Sequence, residues 1–320
     1  MRKISMITGG IDTGKKHLWL GFWPRGERFK FANEPEGFAK IAAILKAAGV
    51  RRVGIESTSI YHMAVTDHLR AEGFEVLVMQ PGQVKAFGKM LGVRVKSDFP
   101  DSELAAGAAA AQERVYSPQA PEIAGFAEHL TYIEQCEDNC ARLKTQAERF
   151  RNPDLVAKKR KEIALAKLAI RSELKELAQA VRRYPDLAFR LELAVSAPGV
   201  GLRTALTMII RMPELGTLGR AKAACLLGVA PLDDDTSDHK GVRRIQGGRA
   251  KARKALFMAA FSAAMRHNEE LKRHYKNLIA KGLTHTRAVI GCTRKLIILL
   301  DAILARKTPW EPRGAYNAPS

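Results

Sequence analysis

Four acidic residues stand where phosphodiester chemistry could use them. Asp12 lies in the run GIDTGKKH, Glu56 closes VRRVGIES, and Asp98 and Asp101 sit in VKSDFPDSELAAGAAAA. A carboxylate within or at the end of an apolar strand is costly unless it is paired or binds a cation. Asp98 and Asp101 are three residues apart, so on a helix they share one face. Taken singly, Asp98 also reads as a helix N-cap and Asp101 as an acid placed on the helix dipole. Their order carries more. An acid on the first strand, a second on a later central strand and a pair on the next helix is an arrangement that gathers carboxylates around two magnesium ions. Hard cations prefer oxygen ligands, and two of them activate an attacking oxygen while stabilising the leaving one.

A second constellation is PLDDDTSDHKGVRRIQGGR, Pro231 to Arg249, continuing into AKARKAL. Two adjacent hydroxyls, Thr236 and Ser237, run into the basic residues Arg243, Arg244, Arg249, Lys251, Arg253 and Lys254, with Gly247 and Gly248 between them. The glycines permit close backbone approach, and clustered cations beside a helix start suit nucleic-acid phosphates; a solvated helix face reads similarly. Asp233, Asp234, Asp235 and Asp238 keep an exposed turn solvated and would repel DNA. Upstream, Pro198-Gly199-Val200-Gly201 before a helix offers either backbone N–H groups to a phosphate or a turn between packed helices.

The chain of 320 residues carries 53 Lys plus Arg against 33 Asp plus Glu, a formal charge of +20, which calls for a polyanionic partner. Nucleic acid leads, ahead of a membrane surface. No run approaches the roughly 18 apolar residues of a spanning helix. MRKISMITGG has no signal-peptide core, so a cytoplasmic protein is expected. The cysteines Cys136, Cys140, Cys225 and Cys292 are scattered, and the close pair lacks nearby histidines, so reduced, partly buried thiols are expected before zinc.

These residues must be positioned by an α/β part followed by an all-α part. KISMITGGID, HLWLGFW and RFKFAN read as strands, the first two joined by a short turn. A helix follows Pro35 and stops at Gly49; then come a strand (VRRVGIES), a helix (YHMAVTDHLRAEG) and a strand (FEVLVMQ). From about Pro118 two long charge-rich amphipathic stretches separated by RNPD predict a helical hairpin or coiled-coil arm, or else an ordinary amphipathic bundle. From LAVSAPGVGLRTALTMII onward the pattern predicts a mostly helical domain, and TPWEPRGAYNAPS a loose tail. The expected divisions are 1–117, 118–188, 189–308 and 309–320.

The blocks GIDTGKKHLWL, GIESTSIY and KSDFPDSELA resemble those of the DEDD-type insertion-sequence transposases, the bridge-RNA-guided recombinases of the insertion sequence 110 family. The likeness continues through APGVGLRTA, RAKAACLLGVAPL and GVRRIQGGRAKARKALFMAAFSA. It implies a ribonuclease H-like (RuvC-like) first domain binding Mg2+ through Asp12, Glu56, Asp98 and Asp101; Ser97 and Ser102 replace the family's frequent Thr and Ala. It also implies a serine of the second domain, shortly after the proline of GVAP, that attacks DNA and forms a phosphoserine link. A free hydroxyl is a poor nucleophile near neutral pH and needs a metal or base beside it. The resemblance therefore implies a site shared between protomers of a homodimer or homotetramer, assembled through the helical arms. Spacing from the flanking motifs puts Thr236 at the serine position, with Ser237 where a glycine follows; the less crowded primary alcohol favours Ser237. The implied activity is RNA-guided DNA strand exchange between donor and target through a Holliday-junction-like intermediate, in a bacterial, nucleoid-associated protein. The alternatives are a hydrolytic junction resolvase or nuclease, and a non-catalytic nucleic-acid-binding protein.

Overall fold

The computed structural model describes residues 7–24, 26–57, 59–93, 101–112, 120–231 and 245–311. The chain divides into two compact units, Met1–Pro118 and Gln119–Ser320.

The first unit is built on a five-stranded sheet: β1 (Thr8–Thr13), β2 (His17–Trp23), β3 (Arg28–Ala32), β4 (Arg52–Glu56) and β5 (Glu75–Met79). Its order is β3-β2-β1-β4-β5, with the first three strands antiparallel and β1, β4 and β5 parallel. Helices α1 (Pro35–Ala47), α2 (Met63–Ala71), α3 (Pro81–Met90) and α4 (Asp101–Ala111) complete it. All five strands fall where the apolar runs predict them. The helix α3 was not anticipated, because PGQVKAFGKM buries just Val84 and Gly88 and so carries a weak apolar stripe.

Strand alternation divides the sheet into two faces. Ile11, Leu18, Leu20, Val53 and Ile55 form one core with Phe38, Ile41 and Leu45 of α1 and Val65 and Leu69 of α2. The other face is narrow. Gly21, Gly10 and Gly54 sit side by side on β2, β1 and β4, at paired positions. The helix α4, DSELAAGAAAA, lies directly on them. A Cβ at Gly10 would run into the Ser102 carbonyl and Ala106, and one at Gly54 into the Ala105 carbonyl. A Cβ at Gly21 would lie 2.8 Å from Ser102 Oγ. Small residues on both sides let helix and sheet backbones nearly touch.

Charged side chains pin both ends of α4. Near its start the buried Glu103 accepts from Arg28 Nε of β3 at 2.7 Å. Near its end Arg52 donates to the Ala109 and Gln112 carbonyls at 3.3 and 2.7 Å while forking onto Glu75. A cation on the final carbonyls of a helix satisfies orphan acceptors and opposes its dipole.

The second unit is helical throughout its described residues. A helical hairpin, α5 (Pro121–Ala147) and α6 (Pro153–Arg182), precedes α7 (Pro185–Ser196), α8 (Leu202–Arg211) and α9 (Arg220–Leu227). Then come α10 (Ala250–Ser262), a π-helical turn (Ala263–His267), α11 (Glu269–Ala280) and α12 (His285–Arg306). The base of the hairpin shares the unit's core: Leu130, Ile133, Leu177 and Val181 pack with α7, α8, α10 and α12. Farther along α6, Leu165 and Leu168 are exposed. Buried Asp301 of α12 accepts from the backbone N–H groups of Gly216 and Gly219, at 2.7 and 2.9 Å, and so fixes the loop that starts α9. Within the segment expected to be a loose tail, Trp310 packs on the core and its backbone N–H donates to Ser196 Oγ at 2.8 Å. Among the described residues no helix is long and apolar enough to cross a membrane.

The glycine rung makes a stability prediction. Gly54→Ala should lower the unfolding free energy by about 1–3 kcal/mol through overpacking against α4. Gly125→Ala, facing open space within α5, should raise it by roughly 0.5–1 kcal/mol. Urea denaturation of both variants measures the contrast.

Candidate active site

Two residues beyond the glycines, β1 and β4 carry acids in the same spacing: Gly10-Ile11-Asp12 and Gly54-Ile55-Glu56. Ile11 pairs with Ile55 in the parallel ladder, so Asp12 and Glu56 occupy the next rung side by side and face the side of the sheet that α4 covers. Because Arg52, at the start of β4, reaches the end of α4, the helix runs antiparallel to β1 and β4. Its first residue, Asp101, therefore stands at the carboxyl end of those strands with Asp12 and Glu56. All three are partly buried or half-exposed rather than fully solvated.

Backbone anchors hold this end. Thr13 Oγ1 donates to the Glu56 carbonyl at 3.3 Å, linking the ends of β1 and β4. Asn33 Nδ2 donates to the Gly14 carbonyl at 2.9 Å and the Tyr61 carbonyl at 3.0 Å. One amide thus ties the turn after Asp12 to the loop after Glu56, and nothing in the sequence pattern marks it.

Of the four acids singled out by sequence, three are brought to one end of the sheet; Asp98 lies outside the described residues. Among those residues no three His, Cys, Asp or Glu side chains converge into a ready metal site. The donor set still suits a hard divalent cation, being all carboxylate oxygen. The Cys136–Cys140 pair belongs to no such group either, and all four thiols are free. Burial pushes the Cys292 thiol up to about 11.

In the second unit, Thr236, Ser237, Arg243 and Arg244 lie outside the described residues. What flanks them is well defined. Gly228, left-handed at φ 79°, ends α9, and Gly248, at φ 77°, packs on it backbone to backbone. Arg253 Nη1 bridges this seam, donating to the Gly247 carbonyl at 2.6 Å and the Leu227 carbonyl at 3.2 Å. Arg249 forks onto Glu214 at 2.7 and 2.5 Å and reaches the Arg211 carbonyl. Burial raises the Glu214 pKa, but the Arg249 hydrogen bond and charge outweigh it and hold that carboxyl below its ordinary value.

The basic cluster is therefore less open than its sequence implies. Arg249 and Arg253 are engaged by the protein's own carboxylate and carbonyls, and Lys251 pairs with Glu134 at 2.7 Å. Lys254 is the most exposed of the four, with Asp138 at 3.9 Å. Within the PGVG turn, Gly199 has φ 92° and abuts Ala263, and the Val200 N–H donates to the Ala197 carbonyl at 3.0 Å, while Gly201, the N-cap of α8, faces open space.

Acids at the carboxyl ends of parallel strands, on a chain with a formal charge of +20, suit a protein that processes nucleic acid. Comparison with known proteins makes this specific. Residues 9–150 match the DEDD-type IS110 transposase model, and residues 191–276 match that of the transposase IS116/IS110/IS902 family. The chain belongs to the IS110 family of transposases. It is 23% identical over 321 residues to the pilin gene-inverting proteins of Moraxella lacunata and Moraxella bovis, covering 95% of this chain and 97% of each relative. It is 34% identical over 122 residues to the 43.6 kDa protein of insertion element IS110 from Streptomyces coelicolor, covering 37% of this chain and 29% of that protein. DNA recombination or transposition is thereby its activity class.

The inward turn of Arg253 separates two roles by salt dependence. Lys254→Ala should reduce the log–log salt slope of DNA binding by about 1. Arg253→Ala should leave that slope unchanged but lower the melting temperature. Binding titrations over a salt series and thermal melts distinguish them.

Proposed function

We propose that this chain is a DNA strand-exchange enzyme in which Asp12, Glu56, Asp98 and Asp101 hold Mg2+ in a ribonuclease H-like first domain. A hydroxyl of Ser237, or of Thr236 in its place, forms a covalent bond with the DNA backbone. The observation that carries the reading is the shared rung of Asp12 and Glu56 beneath a helix whose first residue is Asp101. Magnesium bound there would supply the positive charge that makes a hydroxyl nucleophilic and stabilises the departing oxygen. The residues of the chain do the rest: the glycine rung fixes the acids, and the Gly228–Gly248 seam fixes both flanks of the segment bearing the hydroxyls. Arg243, Arg244 and Lys254 grip DNA phosphates, while Arg249 and Arg253 shape the loop.

Family membership supports the wider assignments: a guide RNA that selects donor and target DNA, a Holliday-junction-like intermediate, and a homodimer or homotetramer joined through the α5–α6 arm as a coiled coil. The net charge of +20 suits a protein carrying both nucleic acids. The functional divisions proposed are 1–117, 118–188 and 189–308.

Trapping with nicked suicide DNA tests the chemistry. With guide RNA, both DNAs and magnesium, the wild-type chain should form a covalent protein–DNA adduct, and Ser237→Ala should abolish it while Thr236→Ala retains it. Asp12→Asn and Glu56→Gln should reduce adduct formation at least 100-fold, on the order of the loss of a principal transition-state contact, with DNA binding preserved. Cleavage without any adduct would instead establish hydrolysis.

A further inference from the structure

The rung that holds the acids extends beyond them. In the ladder, Asp12 pairs with Trp19 of β2, and Trp19 with Lys30 of β3, so Lys30, Trp19, Asp12 and Glu56 follow one another across four strands on one face. Trp19 is 39% exposed. Gly21, two residues farther along β2, lies under α4, whereas Trp19 stays exposed. An indole this exposed on a sheet face beside acids offers its ring to a partner instead of filling the core.

Its surroundings are basic and firmly held. Lys30 Nζ stands 5.6 Å from the Trp19 ring centroid, and the His17 ring lies 6.0 Å away at a 55° tilt. Lys15 and Lys16, both exposed, occupy the turn joining β1 to β2. That turn is closed by the Gly14 N–H donating to the His17 carbonyl at 2.9 Å and by the Asn33 N–H donating to the Lys16 carbonyl at 3.0 Å. Gly14 passes under the indole edge, where an added Cβ would lie 3.2 Å from the ring. The aromatic ring thus stands on fixed backbone with cations on flexible stems around it.

We propose that Trp19 and Lys30 form a docking platform for an unpaired DNA strand: one base stacks on the indole while Lys30, Lys15 and Lys16 take the adjoining phosphates. This rests on the reading that the neighbouring acids cut DNA. Adjacent strands of a sheet lie about 4.8 Å apart, so a base on Trp19 keeps its own phosphate within reach of Asp12 and Glu56. An indole stacks on a base that is free of its partner, so the platform selects a strand opened at a nick or exchange junction over intact duplex. The flexible Lys30 stem lets its ammonium leave the ring for a phosphate when the base arrives, exchanging a cation–π contact for stacking.

Binding of the full chain to fluorescent single-stranded and duplex oligodeoxynucleotides tests this, with single-stranded RNA as a further probe. Trp19→Ala should weaken binding of unpaired DNA roughly tenfold, the effect of losing one stacked base, and leave duplex binding within about twofold. Trp19→Phe should restore most of the loss, which a merely structural role for the indole volume would not do selectively for unpaired DNA. Lys30→Ala should reduce the salt slope for unpaired DNA by about 1. Equal affinity of Trp19→Ala and wild type for unpaired DNA overturns the platform, as does an equal loss on duplex. Should Trp19→Ala misfold, as circular dichroism would reveal, the Trp19→Phe and Lys30→Ala arms decide in its stead. A Trp19-dependent preference for RNA over DNA reassigns the strand and overturns the proposal as stated. Failure of the wild-type chain to bind either form of DNA counts against the strand-exchange reading itself.

Discussion

The first unit depends on how closely α4 can approach the sheet. Ordinary side chains on Gly10, Gly21 and Gly54 would hold the helix off, and every acid-bearing position would lose its reference. The chain repeats one device on two strands: a glycine, an isoleucine and an acid, as Gly10-Ile11-Asp12 and Gly54-Ile55-Glu56. Period-two alternation then gives each residue a separate task. The glycine admits the helix, the isoleucine faces the opposite core with α1, and the acid lies on the helix face of the sheet, at the end where α4 begins. Arg52 and Glu103 prevent α4, itself mostly alanine, from sliding along its bed of glycines, which offers little shape to resist such motion.

In the second unit, charge takes the role that close packing has in the first. Glu134 of the arm meets Arg211 at 2.9 Å and Lys251 at 2.7 Å, and Glu137 forks onto Arg203 at 2.8 and 2.9 Å. These contacts join α5 to α8 and α10, so the base of the hairpin is fixed to the body while its far leucines stay exposed. They also show that formal charge overstates available charge. Arg203, Arg211, Arg249 and Arg253 are all turned toward the protein's own acceptors. Arginine suits this because its planar fork satisfies two acceptors at once.

Most of the scaffold was legible in the sequence. The five strands and the hairpin around RNPD follow from apolar periodicity and breakers, which are local signals, and a helix was expected within VKSDFPDSELAAGAAAA, where α4 runs from Asp101. The acids Asp12 and Glu56 were legible for a related reason: a charge in an apolar run is conspicuous wherever the strand ends up. What was hidden depends on tertiary partners. Arg249 and Arg253 look like DNA-facing residues in GGRAKARKAL, and their inward direction follows from Glu214 and the α9 carbonyls, which are distant in sequence. Asn33 is equally silent, since the carbonyls it joins belong to two different loops. Trp19 reads as one more aromatic in an apolar strand; its significance comes from the register that sets it opposite Asp12.

A cluster of carboxylates that acts on a polyanion must overcome its own repulsion. Charge far away on the molecule helps substrate arrive, but ionic screening over about 8 Å at physiological salt leaves it little influence at the moment of contact. In the proposed site, cations within one or two strands of Asp12 would join the bound Mg2+ in holding a phosphate. Lys30 stands on the same rung, two strands from Asp12, and Lys15 and Lys16 follow β1 directly. The short turn from β1 to β2 therefore has two functions: it returns the chain so that Trp19 faces Asp12, and it places positive charge at the edge of the acid cluster. Lengthening that turn would preserve the sheet yet move both cations away from Asp12.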